Sequence, residues 1–297
     1  MHQIQYLSRV TAPPCEYFDI IAGSGTGGLI ALLLGRLRLS VDQAIECYTR
    51  VVQRVFLRTE SDGTFKVSSL NDTGDDTVLL DDSVFHCKTF VCVRQSTLDS
   101  ARAHARRLRT YPAPGYTSRH TFTEAVRATM GHRTFFRPDD PAAAAASRIF
   151  DAGDDHYNPI LDLCEEARSL FPSRHIVYLL SLGAGQSTTI DVSPPKGFFS
   201  QPILPLPILS AVRHIAERCE STDAKFRQMF GDFDRTYFRL SLDRGIDNGK
   251  PTRWEQEAAL QEATNTYIVA VHDTVLTLAT RMMHEINRAS ARTRRNR

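Results

Sequence analysis

The stretch that most constrains this chain is YFDIIAGSGTGGLIALLL, residues 17–34. An apolar run of strand type, Phe18–Ala22, enters a turn with four glycines in six residues: Gly23, Gly25, Gly27 and Gly28. Leu29–Leu34 is apolar on nearly every side, which predicts a helix buried on more than one face. Several enzyme classes present a reactive or phosphate-binding backbone at such a strand–turn–helix bend.

Three specific chemistries compete for the bend. A phosphate loop needs a Lys-Ser/Thr pair after the last glycine, and Leu29-Ile30 stands there instead. The dinucleotide fingerprint G-x-G-x-x-G is met by Gly23, Gly25 and Gly28, but it also needs a second strand ending in an acid about 20 residues on. That region reads as helix: Ser40-Val41-Asp42-Gln43 has the form of a capping box. Val41, Ala44, Ile45, Tyr48, Val52, Val55 and Phe56 then recur at helical spacing. A nucleophile elbow, G-x-S-x-G, needs serine at the apex. Gly23 and Gly27 fit its flanks, the apex is Gly25, and Ser24 stands one residue early. The plain reading is a glycine turn that lets a helix pack close to a sheet.

The rest of the chain reads as alternating strands and helices. Leu57–Asp82 is polar and predicts a long exposed loop. A strand follows from about Cys87 to Val93, with its cysteines buried rather than binding metal. The Ala- and Arg-rich piece Asp99–Leu108 predicts helix. A short helix spans Thr123–Met130, with Thr121 or Thr123 as its cap. Ala142–Ala146 is low in complexity and predicts surface. Arg148–Gly153 predicts a short strand ending in Asp151 and a glycine turn. Asn158-Pro159 opens a helix over Ile160–Leu170, stopped by Phe171-Pro172. His175–Leu182 predicts a strand ending in Gly183-Ala184-Gly185. The Pro-rich stretch 193–207 predicts linker, Ile208–Met229 helix, Tyr237–Asp243 strand, and Pro251–Arg288 one or two long helices. The fold class expected is α/β: a mostly parallel sheet with helices on both faces, plus a helical C-terminal extension. The expected organisation is a core over 1–200 and a helical layer of the same domain over 201–297.

The balance of 36 basic and 34 acidic residues creates no strong field for nucleic acid. The terminal run Arg292–Arg297 predicts a frayed, solvated tail. Six scattered cysteines are too few for a disulfide framework in 297 residues. No apolar run reaches membrane-spanning length, and residues 1–10 carry no signal-type apolar region. These features predict a cytoplasmic protein, with peripheral attachment to membranes as the alternative. Paired acids such as Asp154-Asp155 read as solvated turns rather than a calcium loop, and lone His132 and His156 read as surface or core residues.

In order along the chain, these blocks bear a family resemblance. They are residues 14–23 and 34–41, Cys87–Val91, Glu124–Thr129, Phe150–Gly153 with Asn158-Pro159, Leu180–Gly185, and Tyr237–Arg239 with Asp243–Gly245. In this succession the chain resembles the patatin-like phospholipases, in particular their fungal members. The resemblance implies acyl-ester hydrolysis of a lipid by a Ser–Asp dyad. It requires no histidine, metal or cofactor, because a partly desolvated carboxylate can take the serine proton. It implies a lipid or acyl-ester partner and no nucleic acid. By this resemblance Asp151 matches the dyad acid, within Asp151-Ala152-Gly153. Gly25 occupies the nucleophile's position without its hydroxyl, in the frame of Gly23, Thr26 and Gly27. Ser24 is the substitute nucleophile to be weighed, although its side chain should leave an extended backbone on the opposite side from position 25. The family's oxyanion turn, D-G-G-G-x-R, does not precede Gly23 in this sequence, and the expectation is an N-terminally truncated or decayed copy with impaired catalysis. The alternatives are a non-catalytic lipid- or protein-binding module with the same fold and, more distantly, a nucleotide-binding domain.

Overall fold

The structure, a computed structural model, describes residues 12–56, 64–66, 77–80, 87–97, 100–114, 116, 119–137, 149–153, 156–186, 206–231, 236–242 and 257–295. It divides into one unit over Pro13–Leu170 and another that contains Phe171–Arg297.

The first unit begins with β1, Ile20–Gly23. It passes through the glycine turn into α1, Thr26–Ala31, which continues as a π-helical turn over Leu32–Arg36. Leu29, Leu32 and Leu33 are fully buried, as the apolar pattern requires. The Leu37 amide donates to Leu32 O at 2.9 Å, the i→i+5 bond of the π turn. The turn carries Gly35 against β3 (Lys88–Thr97), where a Cβ would collide with Thr89 Oγ1.

Helix α2, Val41–Phe56, starts at the expected capping box. The Ser40 amide donates to Gln43 Oε1 at 3.0 Å, and the Gln43 amide donates to Ser40 Oγ at 3.2 Å. Its stripe of Ala44, Val51 and Val55 is buried. Within the expected loop 57–82, the described residues are not simply exposed. Phe65 and Leu79 are buried, β2 (Phe65–Lys66) pairs with β5 (Phe136–Arg137), and Val78 bridges Thr121. Apolar side chains in a polar stretch found the core there.

The central sheet is mixed rather than mostly parallel. β1 pairs parallel with β3, from Ile20↔Lys88 to Gly23↔Val91. β4, Ser100–Arg109, pairs antiparallel with β3, with Phe90 opposite Arg109. β6, Ile149–Phe150, is also antiparallel to β3, with Arg94 opposite Phe150. β4 takes one edge of β3, so β1 and β6 share the other.

The segment expected to be helical at 99–108 is therefore strand β4. Alanine and arginine favour helix in isolation, but here sheet pairing and a period of two win. Leu108 is buried on one face, while Arg107 and Arg109 point to the other and meet acids on α4, Ile160–Leu170. The same alternation divides β3. Val91 and Val93 enter a cluster with Leu29, Leu32, Leu33 and with Phe122 and Val126 of α3 (Phe122–Met130). Phe90 and Cys92 pack with Ala152 and Leu163 on the other side. Helices thus cover both faces, which makes this unit α/β in the coarse sense. Thr121 caps α3 in a full capping box with Glu124.

In the second unit, β7 (Leu179–Gly183) pairs parallel with β8 (Tyr237–Ser241), from Leu179↔Tyr237 to Gly183↔Ser241. The strand expected from His175 starts four residues later, at Leu179, opposite Tyr237. Helix α5, Leu206–Met229, accommodates Pro207 in its first turn, where the missing N–H costs nothing. The expected long helices are α6, Glu257–Ala270, and α7, His272–Arg295, separated at Val271. The terminal basic run through Arg295 continues α7 rather than fraying. Among the described residues, no helix is long and apolar enough to cross a membrane. The low-complexity run Ala142–Ala146 and most of the Pro-rich stretch 193–207 lie outside the described residues.

Candidate functional site

Each glycine of the bend has a separate reason. At Gly23 a Cβ would collide with the carbonyl of Gly27, so the two flanks of the turn touch backbone to backbone. At Gly28 a Cβ would stand 2.7 Å from Thr129 Cγ2. Gly25 adopts φ 57° and ψ −131°, a region almost closed to residues with a Cβ. A Cβ built there meets nothing within 4 Å, and the same holds at Gly27. The apex therefore keeps a sharp strand-to-helix bend with room at the side-chain position.

That bend is held from both sides. The Gly25 amide donates to Thr129 Oγ1 at 3.0 Å, and Thr129 Oγ1 donates to Cys92 O at 3.0 Å. The Gly25 carbonyl accepts from the Gly28 amide at 2.9 Å and from Leu29 at 3.3 Å. Ser24 Oγ is buried and has no hydrogen-bond partner among the described residues. The Thr26 side chain hydrogen-bonds Tyr48, whose phenol burial pushes above its ordinary range.

Asp151 follows β6 directly and is 3% exposed. Its carbonyl accepts from the Arg94 amide at 2.6 Å, continuing the β3–β6 ladder. Its Oδ1 accepts from the Gly153 amide at 2.6 Å, with Arg94 Nη2 at 3.7 Å. The described residues place no donor on Oδ2. Gly153 needs its φ of 75°, and a Cβ there would stand 2.9 Å from Arg94 Cδ. Ala152 is fully buried against Phe90 and Cys92.

Register brings the two motifs to one place. Gly23 stands opposite Val91 and Phe150 opposite Arg94, on the same edge of β3. These positions lie three steps apart along the strand, with Cys92 and Val93 between them, roughly 10 Å. Ser24-Gly25 leaves β1 into that gap from one end, and Asp151-Ala152 enters it from the other. Gly23, Gly25, Thr26 and Gly27 thus share a locality with Asp151, Ala152 and Gly153.

Between β4 and α4 lies a charged layer that the sequence analysis did not anticipate. Arg107 Nε donates to Asp162 Oδ1 at 3.0 Å and its Nη1 to Glu166 Oε2 at 2.9 Å; it also pairs with Glu165. Arg109 reaches both oxygens of Glu166, at 2.6 and 2.8 Å. The Tyr111 hydroxyl donates to Glu166 Oε1 at 2.7 Å. His156 Nδ1 lies 2.7 Å from Asp162 Oδ2. Burial alone would raise Asp162, but His156 and Arg107 hold it below the usual carboxylate value. Burial likewise opposes, and Arg109 and Tyr111 outweigh it, at Glu166, which is also lowered. The available signals were Glu165-Glu166 on the predicted helix and arginines at alternate positions, but neither segment names the other.

His132 lies in a stack with Phe135, ring centroids 4.5 Å apart, and accepts from the Thr134 amide at 3.2 Å. Cys87 and Cys92 are buried at β3, and burial pushes the Cys87 thiol up to about 12. The locality holds a buried carboxylate, Asp151, and an apex, Gly25, that supplies no hydroxyl. The chain matches no family model and no curated protein.

Proposed function

We propose that the chain has a patatin-like fold of lipid acyl-hydrolase descent, impaired as a serine enzyme because its apex is glycine. The reading rests chiefly on the backbone of Gly25, φ 57° and ψ −131°, at the tip of a strand–turn–helix whose β3 edge is shared with Asp151. A glycine turn that only relieved packing would not need this conformation at a position with open space around it. An elbow does need it, since the bend carries the nucleophile away from the sheet. In the parental reaction a serine at position 25 attacks a phospholipid or acylglycerol ester and Asp151 accepts its proton. Removing a serine nucleophile costs on the order of a million-fold in rate in a serine protease.

The absent hydroxyl favours the second reading, a non-catalytic lipid- or protein-binding module. The test is restoration. Gly25→Ser should create covalent labelling by a fluorophosphonate and release of nitrophenol from a medium-chain ester, both abolished by adding Asp151→Asn. A folded Gly25→Ser protein that neither labels nor hydrolyses overturns the hydrolase reading and leaves the binding module. Saturable dinucleotide binding by calorimetry would overturn both.

A further inference from the structure

The parallel pair β7–β8 of the second unit ends in hydrogen-bond donors that no described acid answers. Register sets Leu179 beside Tyr237, Ser181 beside Arg239 and Gly183 beside Ser241. Side chains alternate between faces along a strand, so these residues share one face, apolar at its start and polar at its C-terminal end. Leu179 and Tyr237 are buried. The Tyr237 hydroxyl donates to Asp223 Oδ1 of α5, and Arg227 Nε donates to Asp223 Oδ2 at 3.1 Å. Both oxygens of that acid are therefore engaged.

Arg239 is half-buried, and its one hydrogen bond among the described residues runs from Nη1 to Ser181 Oγ at 2.7 Å. Four of the five guanidinium N–H groups are left over. Gly183 fixes where they lie. A Cβ there would stand 2.5 Å from Arg239 Nη2 and 2.6 Å from Ser241 Oγ, so only a bare Cα lets both groups close over the end of β7. The Ser241 hydroxyl makes no hydrogen bond among the described residues, nor does the amide of Gly185, which takes φ 145° just beyond the strand. Ala184 is exposed, and Gly183 and Gly185 are half-buried, so this end is open to solvent.

The carboxyl ends of parallel strands are where open α/β sheets receive ligands. A guanidinium with no acid, flanked by a free hydroxyl and a free backbone amide, is the donor set of an oxyanion site. Three kinds of donor match the three terminal oxygens of a phosphate group, whereas a carboxylate has only two. We infer that Arg239, Ser241 and the Gly183–Gly185 turn form a binding site for a phosphate group, free or carried by a small organic molecule. The site belongs to the second unit's own residues, independently of Gly25 and Asp151.

The experiment titrates the full chain by calorimetry, in low-salt buffer, with inorganic phosphate, glycerol 3-phosphate and butyrate. The wild type is expected to bind phosphate saturably at one site, and butyrate at least about tenfold more weakly. Arg239→Gln removes the charge and should weaken phosphate binding at least about tenfold. Gly183→Ala keeps the charge, but its methyl meets the far end of the Arg239 side chain and turns the guanidinium away; it should weaken binding to a similar degree. Arg213→Gln, which removes an exposed arginine of α5 paired with Glu217, should change affinity less than about twofold. Circular dichroism checks each fold, and if Arg239→Gln does not fold, Gly183→Ala decides. Tighter binding of glycerol 3-phosphate than of inorganic phosphate supports the inference with an organic carrier, and the reverse supports it with the free ion. A wild type without saturable phosphate binding overturns it. So does butyrate bound as tightly as phosphate, a folded Arg239→Gln or Gly183→Ala with wild-type affinity, or an equal loss in Arg213→Gln.

Discussion

Thr129 Oγ1 accepts the Gly25 amide at 3.0 Å and donates to Cys92 O at 3.0 Å, so one buried hydroxyl, 104 residues from the apex in sequence, ties the bend to the central strand. A threonine on a helix normally spends its hydroxyl on its own backbone. Here α3 lends it to two other elements.

Thr129→Val keeps the shape and removes both bonds. It should leave the Gly25 N–H and the Cys92 carbonyl without their partner and destabilise the first unit by about 1–3 kcal/mol. Thr129→Ser, which keeps the hydroxyl, should lose less. Urea unfolding midpoints at constant slope decide; equal losses would show that only packing matters at this site.

The two flanking glycines should respond oppositely. Gly23→Ala drives a methyl into the Gly27 carbonyl, and backbone cannot yield there, so most of the folded protein should be lost. Gly27→Ala meets open space inside a helix, where alanine exceeds glycine by about 1 kcal/mol. Thermal unfolding of the pair checks this; a stable Gly23→Ala would mean that the bend is looser than described.

The charged layer between sheet and helix should dominate acid sensitivity. Asp162 and Glu166 ionise below their ordinary values of 3.8 and 4.5. A depressed folded value stabilises the protein above the unfolded value, and that share is lost as pH falls through the folded one. Wild-type stability should therefore hold above about pH 4.5 and fall steeply below it. Glu166→Ala should cost about 3 kcal/mol at neutral pH, because Arg109 and Tyr111 lose their partner, and its acid decline should be shallower. A variant with the wild-type pH profile would remove Glu166 from the account.

Burial raises the thiols of Cys87 and Cys92, the first to about 12. The thiolate is the reactive form, so both should resist a disulfide reagent at pH 8 in the folded protein and react once denaturant is added. Rapid native modification at either position, mapped by mass spectrometry, would contradict their burial in the sheet.

Local chemistry made several elements readable. Ser40 and Gln43 marked the start of α2, Thr121 and Glu124 that of α3, and Asn158-Pro159 with Phe171-Pro172 bracketed α4 at its observed limits. The glycine bend was readable for the same reason, because its constraint lies between Gly23 and Gly27 in one short stretch. β4 was not readable as strand. Its alanines and arginines speak for helix, and what makes them strand is β3 alongside and Asp162 and Glu166 some 55 to 59 residues away. The expectation of a mostly parallel sheet followed from the same misreading, since an extra helix would have demanded a crossover and a parallel neighbour, whereas β4 and β6 are antiparallel to β3. Thr129 gave no sign of its part in the bend, because a polar residue in a short helix is ordinary until the fold sets it beside Gly25.

The shared edge of β3 also bears on how such a chain can change length. β1 and β6 advance toward each other along one row of β3 backbone and stop three positions apart. A residue inserted at the end of β1 would drive the bend onto Asp151, and one removed from the turn after β6 would draw the carboxylate away. Both ends therefore have to keep their count, and substitution remains the open path for variation there. A substitution such as Gly25→Ser is of that kind: it would alter the chemistry at the tip and leave the spacing intact.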